Sequence, residues 1–194
     1  MQPDVDPRGL SLKPQAVDHA GLAFEAGEAD KGWMLIRPAT PEDRGAIRSL
    51  ICAAFGSLGE AELVEALDRA GDIELSLVAE IGDRAVGHVL FSRVIAPFAA
   101  LALAPLSVAP EHQGRGIGSA LVREGLDRAA RTGWDGVFVL GDPDYYERFG
   151  FRAALAAGFS SPYAGEHFMA LALAGDLPAH SGTLAHAPAF AALG

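Results

Sequence analysis

Between Leu101 and Arg131 an almost continuously apolar segment, Leu101–Val108, runs into the glycine-dense turn Gln113-Gly114-Arg115-Gly116-Ile117-Gly118-Ser119 and straight on into a helical pattern. An apolar run without alternation predicts a central strand, buried on both faces. The helix expected over Gly116–Arg131 places Gly118, Val122, Gly125, Leu126 and Ala129 on one face, and two glycines there imply a close approach to a sheet. A helix start leaves its first amides unpaired and carries roughly half a positive charge, so it holds an anion through backbone alone. Glycine removes the Cβ atoms that would block a pyrophosphate and permits positive φ. The segment is therefore a phosphate cradle, with Arg115 placed to add charge at its rim. A P-loop needs a lysine before the serine, which Gly118-Ser119 lacks. A dinucleotide fingerprint needs a wider glycine spacing after the first strand of its unit.

The rest of the chain sets this segment in an α/β order. Residues 1–33 mix prolines, glycines and acids without a sustained period and read as a flexible tail, leaving a single domain over 34–194. Met34–Arg37 is a short strand. Thr40-Pro41-Glu42-Asp43 is a helix start with a threonine cap, an early proline and acids facing the dipole. Helices follow to about Phe55 and over Glu60–Arg69, then a hairpin of Leu75–Ile81 and Ala85–Ile95, then Leu101–Val108. Beyond the glycine turn and its helix come a strand at Gly136–Leu140, a short helix at Asp144–Phe149, and strands at Phe151–Leu155 and His167–Leu173. Asp142 and Asp144 sit where a cap belongs.

The 194 residues suit one core. A net charge of -10 argues against nucleic acid, whose affinity comes from lysine and arginine on phosphates. The six histidines show no metal-binding spacing, so no metal is expected. The lone Cys52 excludes an internal disulfide and fits a reducing compartment; its apolar neighbours mark it as structural. No apolar run is long enough for a membrane span and no secretory leader is evident, so the expectation is a cytoplasmic protein. The oligomeric state stays open, a homodimer being the commonest outcome for soluble oligomers.

Gln113-x-x-Gly116-x-Gly118 after a central strand resembles the cofactor-binding motif of the GNAT superfamily of N-acetyltransferases. Downstream, Tyr146-Glu147-Arg148-Phe149-Gly150-Phe151 is similar to the superfamily's Tyr-x-x-x-Gly-Phe. The string from Leu140 to Phe151, and the tail around Gly182 and Ala187-Pro188-Ala189-Phe190, resemble the YhbS-like bacterial branch. The resemblance implies a GNAT fold, a mixed central sheet of six to seven strands flanked by about four helices. It implies transfer of an acetyl group from acetyl-CoA to a primary amine, on a small molecule or a peptide, by direct attack in a ternary complex. Leu106, Ser107 and Val108 would pair with the pantetheine arm, and Gln113, Gly114, Arg115, Gly116, Ile117, Gly118 and Ser119 would hold the pyrophosphate. Tyr146 would be the general acid, a phenol with an ordinary pKa near 10 that is protonated at neutral pH. Tyr145, off that helix face, would pack.

A general base is missing where many relatives carry a glutamate, since neither Ala104–Val108 nor Gly136–Leu140 holds a carboxylate. Glu60, Glu62, Glu80, His88, His112 or ordered water remain as alternatives. This gap sustains a second reading, a coenzyme A-binding sensor without turnover. The acceptor-recognition segments, about Phe55–Glu65 and Gly158–Glu166, carry no legible code.

Overall fold

The computed structural model describes residues 15–17, 21–25 and 33–193. Its principal sheet holds β1 (Gln15–Val17), β2 (Gly21–Glu25), β3 (Trp33–Pro38), β4 (Ile73–Ile81), β5 (Arg84–Val94), β6 (Ala100–Val108), β7 (Gly136–Leu140) and β9 (Phe168–Ala172), in that spatial order. Neighbours are antiparallel except β6 and β7, which run parallel. Parallel neighbours need a crossover, and α3 (Ile117–Arg131) supplies it. The mixed sheet of six strands from β3 to β9 is the one expected. The stretch expected as a tail falls mostly outside the described residues, and β1 and β2 lie within it.

Between β3 and β4 the chain makes α1 (Arg44–Phe55) and α2 (Gly59–Ala70), each closed by a left-handed glycine, Gly56 at φ 72° and Gly71 at φ 73°. A 3-10 turn at Pro41–Asp43 precedes α1. The Arg37 guanidinium donates to both oxygens of Asp43 at 2.7 Å and reaches Glu80 at 3.1 Å, tying that turn to β3 and β4. Arg37 thereby holds the Asp43 carboxyl well below the usual carboxylate range.

After β7 come α4 (Pro143–Tyr146), capped by Asp142 accepting from the Asp144 amide at 3.0 Å, and a 3-10 turn at Glu147–Phe149. The strand expected at Phe151–Leu155 is not formed. Only Arg152 bridges to the sheet, at Ala170, and α5 (Ala153–Ala156) follows at once. The reason is local composition: Ala-Ala-Leu-Ala is among the best helix-forming strings and has no β-branched residue to favour a strand. The chain closes through a small parallel pair, β8 (Phe159–Ser160) with β10 (Gly182–Thr183), and a 3-10 segment at Pro188–Leu193.

Two large cores cover the two faces of the sheet, and a smaller cluster of Ile47, Ile51, Ala61 and Val78 joins α1 and α2 to β4. On one, α3 packs Ile117, Leu121 and Val122 against Phe91, Leu101, Leu103, Val137 and Val139. On the other, Leu63 and Leu67 of α2 meet Ala102, Phe138 and Phe168, with Leu184 and Phe190 of the C-terminal segment. Gly125 is where α3 lies closest to the sheet: a Cβ there would sit 2.3 Å from the fully buried Phe91 ring. Gly125→Ala should therefore destabilise the protein by about 1–3 kcal/mol despite alanine's better helix propensity. A urea melt checks this, and an unchanged or raised midpoint would show that Phe91 can yield.

His88 lies within β5, fully buried, with Nε2 2.9 Å from Ser76 Oγ. Burial pushes its pKa down from 6.5 to about 4. Between those values the unfolded chain binds a proton that the folded one refuses. The stabilisation is thus complete above pH 6.5 and lost as pH falls toward 4, a total of about 3 kcal/mol. The loss from Asp43, whose folded pKa is lowered, lies at more acid pH. Denaturant melts across pH 7 to 4 should show this slope, flattened in His88→Leu; an equal slope in the variant would contradict it.

Candidate active site

β6 ends at Val108, and the Ala109 amide then bonds the Val86 carbonyl at 2.9 Å, holding the chain to β5. The 3-10 turn Pro110–His112 leads to Gln113, whose Nε2 donates back to the Val108 carbonyl at 3.1 Å. Gln113 so braces the loop against the strand it leaves. Gly114 at φ 72° and Gly116 at φ 84° then turn the chain through the left-handed region, with open space where their Cβ atoms would be. The first bond within α3 runs from Ala120 N–H to Gly116 C=O at 2.9 Å, so the amides of Ile117, Gly118 and Ser119 point along the axis toward the loop. A buried Ile117 side chain fixes this end; Gly87 of β5 makes room for it, since a Cβ there would lie 2.9 Å from Ile117 and 2.8 Å from Leu121. Arg115 is exposed at the rim.

Gly118 is small for another reason. A Cβ on it would meet the Tyr145 hydroxyl at 2.8 Å. Tyr145 therefore packs on the glycine turn at the start of α3. The same position lies 3.5 Å from Val108 and 3.7 Å from Leu106, so these side chains face α3, whereas Ser107 is buried.

The parallel pairing of β6 with β7 covers only Ala100–Leu103 against Gly136–Val139. Beyond it the strands part, and no strand among the described residues pairs the edge of Leu106–Val108 that faces away from β5. Pro105, which has no amide hydrogen, breaks the ladder on the β5 side too: pairing steps from Phe91↔Leu103 to Val89↔Leu106. A cavity of about 430 Å³ occupies the parting, with Ala104, Pro105 and Leu106 on one side and Val139, Leu140 and Gly141 on the other.

Tyr146 lines this cavity. Its ring lies over Gly141, where a Cβ would come within 2.4 Å of Cε2, and stands edge-on to Phe151 at 5.7 Å. Burial, and secondarily Tyr145, pushes the phenol above its ordinary range, so it keeps its proton at neutral pH.

Of the five side chains considered as bases, only Glu60 reaches the cavity, and its Oε2 accepts from Ser57 Oγ at 2.6 Å. Glu62 is exposed, Glu80 is held by Arg37, His88 is sealed in the core, and His112 is buried at the end of its turn. The structure adds one titratable group absent from the sequence reading, His186. It lines the cavity against Tyr163 (5.0 Å), Phe190 (5.4 Å) and Phe168 (6.2 Å). Neither ring nitrogen has a hydrogen-bond partner, and burial lowers its pKa, which favours the neutral imidazole. Its segment, Ala185-His186-Ala187-Pro188, has no period that would have marked it.

Among the described residues no three His, Cys, Asp or Glu side chains are grouped to hold a metal ion, and no helix is long and apolar enough to cross a membrane.

Residues 72–153 match the family model described as an acetyltransferase (GNAT) domain. The chain is 40% identical over 130 residues to an uncharacterised N-acetyltransferase of Escherichia coli K12, YjhQ, covering 62% of this chain and 71% of that protein. It superimposes on the GNAT family N-acetyltransferase YhbS from Escherichia coli, solved in complex with CoA, with a TM-score of 0.77 at 32% identity, covering 91% of this chain and 96% of that one. A GNAT family acetyltransferase from Brucella melitensis, solved in complex with acetyl-CoA, gives 0.70 at 38% identity over 81% of this chain and 97% of that one.

Proposed function

The chain belongs to the GNAT acetyltransferase family, and from that premise we propose that it moves an acetyl group from acetyl-CoA to a primary amine, on a small molecule or a peptide, within a ternary complex. The observation that carries the reading is the parting of β6 from β7 between an open glycine cradle and a cavity. CoA and acetyl-CoA in the two solved relatives support the choice of cosubstrate.

The backbone amides of Gly114, Gly116, Ile117 and Gly118 suit a pyrophosphate, because open space lies beyond both left-handed glycines and the helix dipole favours an anion. The unpaired edge at Leu106–Val108 suits an amide-bearing arm laid along it as an added strand. Bound there, acetyl-CoA supplies a thioester whose C–S bond breaks as the new N–C bond forms. Tyr146 donates its proton to the departing sulfur. The attacking ammonium gives up two protons in all, so one proton reaches solvent per turnover. Catalysis is mainly the positioning of two reactants on the two sides of one opening. The lone Cys52 makes a reducing, cytoplasmic setting part of the same proposal.

The test is thiol release from acetyl-CoA over a broad amine panel. Amine-dependent release with an N-acetylated product is the expected result. Tight coenzyme A binding without turnover on any amine would instead favour a sensor.

A further inference from the structure

The cavity at the strand parting has two halves of different character, because it passes from one face of the sheet to the other. Leu103 and Val139 belong to the core under α3, on the side of the cradle. Phe138 and Phe168 belong to the opposite core, under α2 and the C-terminal segment. If the cosubstrate enters from the cradle, the second half is left for the amine.

That half is an aromatic box. Phe138 and Phe168, both buried, stack at 5.6 Å behind it. Phe55 and Leu63 come from the helices, and Tyr163 and Phe190 close it, joined by the Tyr163 hydroxyl donating to the Phe190 carbonyl at 3.3 Å. Among the residues lining the whole cavity, Glu60 is the sole formally charged side chain, and the imidazole of His186 is favoured neutral by burial. A cavity so lined offers one ammonium a counter-charge and gives an apolar body somewhere to leave water. A second charge on the acceptor, as in a polyamine or a free amino acid, would be stripped of water with nothing to pair it.

We infer that the acceptor is a primary monoamine with an apolar, ring-sized body, its ammonium directed to Glu60 and its body held by Phe55, Tyr163 and Phe190. The inference rests on the acetyl-transfer reading and specifies its second substrate. The ammonium must lose protons before and during attack, and Glu60, whose Oε2 also accepts from Ser57, is the one carboxylate residue on the lining available to select the cation and receive a proton.

The test uses the full chain, acetyl-CoA at saturation, and steady-state rates with phenethylamine and hexylamine against spermidine, putrescine and lysine. We expect kcat/KM at least about tenfold higher for the apolar monoamines. In Glu60→Gln the amine KM should rise about tenfold or more with the acetyl-CoA KM unchanged. Phe55 is 44% exposed, so Phe55→Ala should fold normally, and it should raise KM for phenethylamine about tenfold while leaving kcat within about twofold. Preferred turnover of the polar or multiply charged amines, or unaltered amine KM values in both variants, overturns this inference and leaves acetyl transfer standing. Absence of turnover on every amine, with coenzyme A still bound, overturns the transfer reading and this inference with it.

Discussion

Replacing Gly116 with glutamate is expected to abolish coenzyme A binding and to leave the fold in place. Gly116 caps α3 at φ 84°, with nothing within 4 Å of its Cβ position. A glutamate there extends into the space proposed for a pyrophosphate and brings a second negative charge to it. Two such charges about 4 Å apart at an effective dielectric of about 20 repel by about 4 kcal/mol, a loss of about a thousandfold in Kd. The left-handed backbone adds about 1–2 kcal/mol of strain, which a domain of ordinary stability survives. Gly116→Ala separates the effects, because it carries the strain without the charge and should lose less than about tenfold. Calorimetry with coenzyme A reads the affinity and circular dichroism the fold. Undiminished affinity in the glutamate variant would mean that the pyrophosphate lies on another loop.

Tyr146→Phe is the second large effect. The phenol lines the cavity at the end of β7, and burial keeps it protonated. Loss of one positioned general acid lowers kcat by roughly a hundredfold to a thousandfold. The KM for acetyl-CoA should stay within about twofold, because the ring still lies over Gly141 and against Phe151. If Tyr146 is the general acid proposed, the protonated phenol is the active form, and because burial raises its pKa its ionisation should not reduce wild-type activity below about pH 10. Full activity in the variant would reduce Tyr146 to packing. Equal losses in kcat and in cofactor affinity would make it a binding residue.

What the sequence revealed follows how local each feature is. The strand, glycine turn and helix from Leu101 to Arg131 were legible because each lies within one stretch of chain with its own pattern. The roles inside it were less so. Gln113 braces the loop through Val108, and Gly118 is glycine because Tyr145 rests on it; both depend on partners that sequence spacing does not disclose. Phe151–Leu155 was expected as a strand after the Gly150 turn, yet its alanines favour helix and a single bridge at Arg152 is all the sheet takes. The aromatic half of the cavity was the least legible. Phe55, Glu60, Tyr163, His186 and Phe190 come from α1, α2, the loop between β8 and β9, and the C-terminal segment, and only the tertiary fold brings them together. No periodicity connects residues so far apart. The missing carboxylate on β6 and β7 is real, and Glu60 of α2 stands at the cavity instead.

Initial rates with acetyl-CoA and an apolar primary amine both varied test most directly whether the two substrates meet at the parting of β6 and β7. Direct transfer requires both to be bound at once, so the double-reciprocal lines should intersect. Parallel lines would mean that an acyl group is first stored on the protein, for which Cys52, partly buried against the cluster of Ile47, Ile51, Ala61 and Val78 and absent from the cavity wall, is poorly placed. That pattern, or no turnover with any primary amine, would contradict the account.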